Sequence, residues 1–121
     1  MSDQPSIDNA DTLSAASSAA LILNDGVTIT STSTPAVNGT YSCSDGALML
    51  MQDQMNAILT SNAFADGSQA LAWADMSGAN HTFPVAQFKG LVLAAGALRA
   101  ACAQYAQGIT TTPPSNQATI P

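Results

Sequence analysis

The segment WADMSGANHTFP, residues 73–84, gathers the chain's only tryptophan, its only histidine and Asp75. With one histidine, a hydrolytic triad would have to run through His81, with Asp75 to orient it and a Ser or Cys as nucleophile. The chain has no G-x-S-x-G elbow, no Walker loop and no G-x-G-x-x-G after a strand. It has no pair of acids in a recognisable general acid/base setting. A metal site would draw on Asp75, His81 and Asp66, which lack ligand-motif spacing. No catalytic, cofactor-binding or metal-binding residue is therefore assigned, and the chain reads as a non-enzyme. Trp73, Tyr41 and Tyr105 could stack on sugar rings, but aromatics are only 5% of the chain, too few to mark a sugar site. Cys43 and Cys102 form no C-x-x-C pair, and one histidine cannot complete a zinc site with them. They read as small buried apolar side chains, with a disulfide between them as the alternative.

The spacing around Trp73 belongs to structure. Leu71 and Trp73 alternate on one face of a strand over 70–75, and His81 and Phe83 on one face of a return strand over 79–83. Ser77-Gly78 is the turn, and Asp75 sits beside it, where a short acceptor side chain bonds nearby backbone N–H groups. Pro84 suits the first turn of a helix. That helix is expected over 84–107, with Gly108 as its stop. Its apolar face comprises Phe88, Leu91, Val92, Ala95, Leu98, Cys102 and Tyr105. Gly90 and Gly96 weaken it by about 1 kcal/mol each, and close packing against a preceding helix is the simplest reason for them. GLVLAAGALRAACA, residues 90–103, is too short to span a bilayer and is interrupted by Arg99.

The first half follows a similar plan. Val27 and Ile29 alternate with Thr28 and Thr30 as a strand, and Pro35 ends it. Asn38-Gly39 reads as a two-residue turn leading into a short strand over 40–43. Residues 44–62 read as a helix, with Ser44 as N-cap and Asp45 at the positive end of the dipole. Leu48, Met51, Met55, Ile58 and Leu59 share its inner face. Residues 1–20 are polar and read as an arm, with a short helix over 12–23 as the alternative. Residues 109–121, with Pro113-Pro114, read as an extended tail laid on a neighbour or left without fixed structure.

The chain's 121 residues fit one domain. The expected architecture is α+β: a small antiparallel sheet of two hairpins packed against two helices, with extended N- and C-terminal arms. The compact part is placed at 21–108, between an arm at 1–20 and a tail at 109–121. Only 8% of residues are charged, and the net charge is −6. Lys89 and Arg99 are the only cations, which argues against nucleic acid and against an anionic membrane surface. A surface built of Ala, Ser, Thr, Asn and Gln suits a protein packed against neighbours, since free monomers usually carry mixed charges. MSDQPSIDNAD lacks the basic start and apolar run of a leader, so synthesis in a cytoplasm is expected.

VTITSTSTPAVNGTYSC, then a helix, then AWADMSGANHTFPVAQFKGLVLAAGALRAACAQY, resembles a family of small bacterial and prophage proteins. That family is associated with bacteriophage tail and tail-fibre regions. The shared pattern is a TPAxNGTY strand exit at 34–41 and a WxDxSGxxHxF hairpin at 73–83, ahead of an Ala-rich helix. The resemblance implies a virion structural protein of the tail, baseplate or tail-fibre apparatus. Its partners would be other virion proteins and copies of itself, with no cofactor. A capsid decoration or stabilising protein and a host-surface glycan-binding module are the alternatives. The family brings no catalytic residues. Asn38, Gly39, Trp73, Asp75, Gly78, His81 and Phe83 are read as fold-defining.

Overall fold

The computed structural model describes residues 15–121, so the first part of the expected N-terminal arm lies outside the described residues. Helix α1 occupies Ala15–Asn24. Ala19 is buried in the core, so the later residues of the expected arm belong to the compact unit. Strand β1 (Val27–Ser31) follows, then a 3-10 turn (Pro35–Val37) and strand β2 (Gly39–Tyr41). Helix α2 is Asp45–Ser61, strands β3 and β4 are Ala70–Ala74 and Asn80–Pro84, helix α3 is Val85–Ala106, and strand β5 is Gln117–Ile120. The class is α+β, as the sequence suggests.

The strands form two small sheets. One has the order β2-β1-β5, and the other is the β3-β4 hairpin. β1 and β2 are antiparallel, with Val27 opposite Tyr41. Their connection differs from the expected two-residue turn. Asn38 is extended (φ −60°, ψ 133°), and Gly39 does not take positive φ. The chain instead winds through the 3-10 turn, and Asn38 Oδ1 accepts from Ser31 N at 2.7 Å. The side chain thereby occupies the donor at the end of β1, which a tight turn would have left to the backbone.

The tail expectation is corrected more sharply. β5 lies parallel to β1 on this same chain, with Thr28 opposite Gln117 and Ser31 opposite Ile120. The first sheet is therefore mixed. Asn116 Nδ2 donates to Ile22 O at 2.7 Å and Gly26 O at 2.8 Å, which locks the entry to β5. Ser31 Oγ donates to Pro121 O at its exit. Ile120 is buried, and it explains Gly90: a Cβ there would stand 3.0 Å from the Ile120 Cβ. Gly90 thus admits β5, not α2 as expected, and Gly96 has no neighbour within 4 Å of an added Cβ.

The core joins α1, both sheets and the inner faces of α2 and α3. Tyr41, Phe64, Phe83, Phe88, Ile29, Met51, Ile58 and Leu91 are its largest fully buried side chains. Each contributes roughly 1.5–3 kcal/mol by leaving water. Ser44 caps α2 by accepting from Ala47 N at 3.1 Å, and Asn62 closes it in the left-handed region at φ 58°. Leu59, expected on the inner face, is 74% exposed. It lies about 100° around the helix from Ile58, at the edge of a stripe whose buried centre is Met51 and Ile58. α3 buries Phe88, Leu91, Val92, Ala95, Leu98 and Cys102, and Gly108 ends it at φ 77°. At 22 residues, the whole helix is long and apolar enough to cross a membrane by length and composition. Residues 90–103 taken alone understate that.

Candidate functional site

The hairpin forms as its pattern predicts. Leu71 pairs with Phe83 and Trp73 with His81. These four face inward, while Ala70, Ala72, Ala74, Asn80 and Thr82 are exposed. At the turn, Asp75 Oδ1 accepts from Ser77 N at 2.8 Å, Ser77 Oγ at 2.5 Å and Ala79 N at 3.1 Å. Gly78 closes the turn at φ 90°, a conformation that costs a glycine little.

The second carboxylate oxygen of Asp75 faces His81. His81 Nε2 lies 2.7 Å from Asp75 Oδ2, and Nδ1 lies 2.9 Å from Ala36 O. A carbonyl and an ionised carboxylate can only accept. Both ring nitrogens therefore donate, and the ring that makes both bonds is an imidazolium. The Asp75 bond, then the Ala36 carbonyl, raise the His81 pKa above its ordinary value. Ser77, then His81, hold the Asp75 carboxyl well below the usual carboxylate range. The side chains are 17% and 11% exposed, so the pair is mostly withdrawn from water without being sealed from it.

The floor of the site is Gly39. A Cβ there would stand 3.3 Å from both Asp75 Oδ2 and His81 Nε2, and 3.4 Å from the Tyr41 hydroxyl. Tyr41 lies edge-on to His81 at 5.7 Å between ring centres. Its hydroxyl donates to Val37 O at 2.6 Å. Burial, then the Asp75 charge, push the phenol pKa up. Met76 N donates to Thr40 O at 2.8 Å. The hairpin turn is thus fastened at two points, through His81 to the β1-β2 connection and through Met76 to β2.

This arrangement holds parts together. While the ring is protonated, both N–H groups are engaged and it offers no lone pair. Asp66 is spent in its own turn, where it accepts from Ser68 N at 2.9 Å and Ser68 Oγ at 2.6 Å. Among the described residues, no three His, Cys, Asp or Glu side chains gather to hold a metal ion. The sugar-stacking trio does not assemble. Tyr41 is fully buried, and Trp73 packs edge-on to Phe88 at 5.2 Å. His81 stands opposite Trp73 in the hairpin register, bonds through both ring nitrogens and has Tyr41 edge-on to its ring.

A second polar junction joins the helices. Arg99 Nη1 donates to Cys43 O at 2.9 Å, and Nη2 meets Asp45 Oδ1 at 2.5 Å. Cys43 and Cys102 are buried, free thiols, and burial raises the pKa of each.

Sequence reasoning found Asp75 and His81 but missed Gly39, Tyr41 and Ala36 as their surroundings. Gly39 and Tyr41 are two apart in a strand and so share a face, which was the available signal. Comparisons with protein-family models, curated proteins and solved structures return no match for this chain.

Proposed function

We propose that the protein is a non-catalytic building unit of a bacteriophage virion, in the tail, baseplate or tail-fibre apparatus, and that it works by packing against other proteins. One observation carries the packing part. Met49, Leu50 and Leu59 on α2 and Leu93 on α3 are 59–74% exposed, on a surface with very few charges. Exposed apolar side chains that adjoin one another, as Met49 and Leu50 do on α2, mark interaction sites. Obligate interfaces are comparatively apolar. The clamped His81 supports the same reading, because the one side chain suited to acid–base work is committed to holding the hairpin. The assignment to a phage tail rests on the resemblance of the strand-exit and hairpin motifs.

Immunogold electron microscopy of purified particles tests the location. Label on the tail, baseplate or fibres is the expected result. Label confined to the head would replace it with the decoration reading. Particles free of label would overturn both.

A further inference from the structure

We propose that the outer face of α3 binds the outer face of α2 of a second copy of this chain, head to tail. The proposal deepens the packing reading above and rests on it, by naming the partner at these two faces.

The α3 face carries Leu93, 73% exposed, and exposed Lys89 one turn before it. Leu93 forms one wall of a groove of about 320 Å³ whose lining includes Gly90, Ala94, Ala118 and Ile120. The groove is shallow and almost wholly apolar. The α2 face carries Met49, 67% exposed, with exposed Asp53 one turn after it. Residues four apart on a helix are neighbours on one face. Each face is therefore an apolar side chain beside one charge, and the charges are opposite.

Those charges decide the occupant. The chain has two cations. Arg99 is engaged by Asp45, whereas Lys89 has no ion-pair partner among the described residues, and neither has Asp53. Exposed Asp53 beside Met49 is complementary in charge to exposed Lys89 beside Leu93, so the chain's own α3 matches the α2 face. Docked with the helices antiparallel, Met49 of one copy enters the groove beside Leu93 of the next while Asp53 reaches Lys89. A methionine is suited to a groove of this kind, because its unbranched chain adapts to the space. The two faces lie on different helices, so the contact is heterologous and can repeat into a ring or a filament.

Native mass spectrometry of the purified full chain over a concentration series tests this. The unaltered chain should associate in a concentration-dependent way. Lys89→Asp and Asp53→Lys should each weaken association about fivefold, since each turns an attraction into a repulsion at an exposed pair. Leu93→Asp should abolish it. The discriminating arm is rescue. The double variant Lys89→Asp/Asp53→Lys, and an equimolar mixture of the two single variants, should both regain association. A fold defect would not be rescued by mixing.

A chain that stays monomeric throughout would overturn the proposal. So would single variants that associate like the original, or weakened single variants that mixing does not restore. Any of these results, with the protein still present on particles, would leave the packing reading standing. Absence from particles would remove that reading while self-association in solution would remain.

Discussion

His81 and Asp75 are joined across the hairpin turn by a 2.7 Å bond from Nε2 to Oδ2, while the other ring nitrogen, Nδ1, donates to Ala36 O. One charged ring thereby ties the β3-β4 hairpin to the 3-10 turn of the other sheet. Since this is the chain's only histidine, its titration can be followed without assignment ambiguity.

The first expectation concerns pH. The His81 pKa is raised in the folded state, from about 6.5 in the unfolded chain. Its contribution to stability is therefore full below that value and is lost as pH rises through the folded pKa. The Asp75 pKa is lowered, so its contribution is present above about 3.9 and is lost as pH falls through the folded value. Melting temperature should hold a plateau between the two and decline as pH rises above about 6.5 toward the raised folded pKa. His81→Gln should remove that alkaline decline. An unchanged profile in the variant would show that the ring is not the group responsible.

Asp75→Asn should bring the His81 pKa back toward its ordinary value, because the first cause of the shift is the carboxylate bond. Nitrogen chemical shifts of the ring across a pH series provide the readout. In the original chain at mildly acidic pH, both ring nitrogens should appear protonated.

The helical glycines separate two roles. Gly96→Ala should stabilise the folded chain by about 1 kcal/mol, since nothing lies within 4 Å of the added Cβ and alanine is the better helix former. Gly90→Ala should lose that gain, because the new methyl meets Ile120 at 3.0–3.3 Å. Chemical denaturation ranks the two. Faster amide exchange over residues 117–120 in Gly90→Ala alone would locate the damage at β5.

The tail belongs to the fold. Ile120→Ala should destabilise the protein by about 2–4 kcal/mol, as a buried large-to-small change. Asn116→Ala should cost about 1–3 kcal/mol through two lost hydrogen bonds. A substitution at Ile120 that left the denaturation midpoint in place would contradict the parallel β1-β5 pairing.

Neither thiol should react with an aqueous disulfide reagent in the folded protein, and both should react once it unfolds. Cys43 is 1% exposed and Cys102 3% exposed, and burial disfavours the thiolate that such reagents need.

The parts that were legible in the sequence are those set by local period and local chemistry. Trp73, Phe83 and Leu71 alternate, Ser44 caps, and Gly108 stops, each within a few residues of its effect. What escaped depends on distant segments. Ala118 and Ile120 alternate with Gln117 and Thr119 over only four residues, and their partner β1 is far away in the chain. Asn38-Gly39 carries a strong turn signal, yet both residues serve other ends: one accepts from Ser31, and the other clears space for the His81–Asp75 pair. Leu59 shares the apolar stripe by helical spacing, but the buried centre of that stripe is Met51 and Ile58, which leaves Leu59 at its exposed edge. The scarcity of charge is visible in composition, whereas which apolar side chains stay exposed on α2 and α3 needed the folded helices.

The central claim is that the chain is a packed component of a virion. Quantitative mass spectrometry of purified particles, with this protein measured against the major capsid protein, tests it most directly. A fixed ratio, reproduced across preparations and retained through density-gradient purification, is the expected result. Its absence from the particles, or a ratio that falls with each purification step, would contradict it.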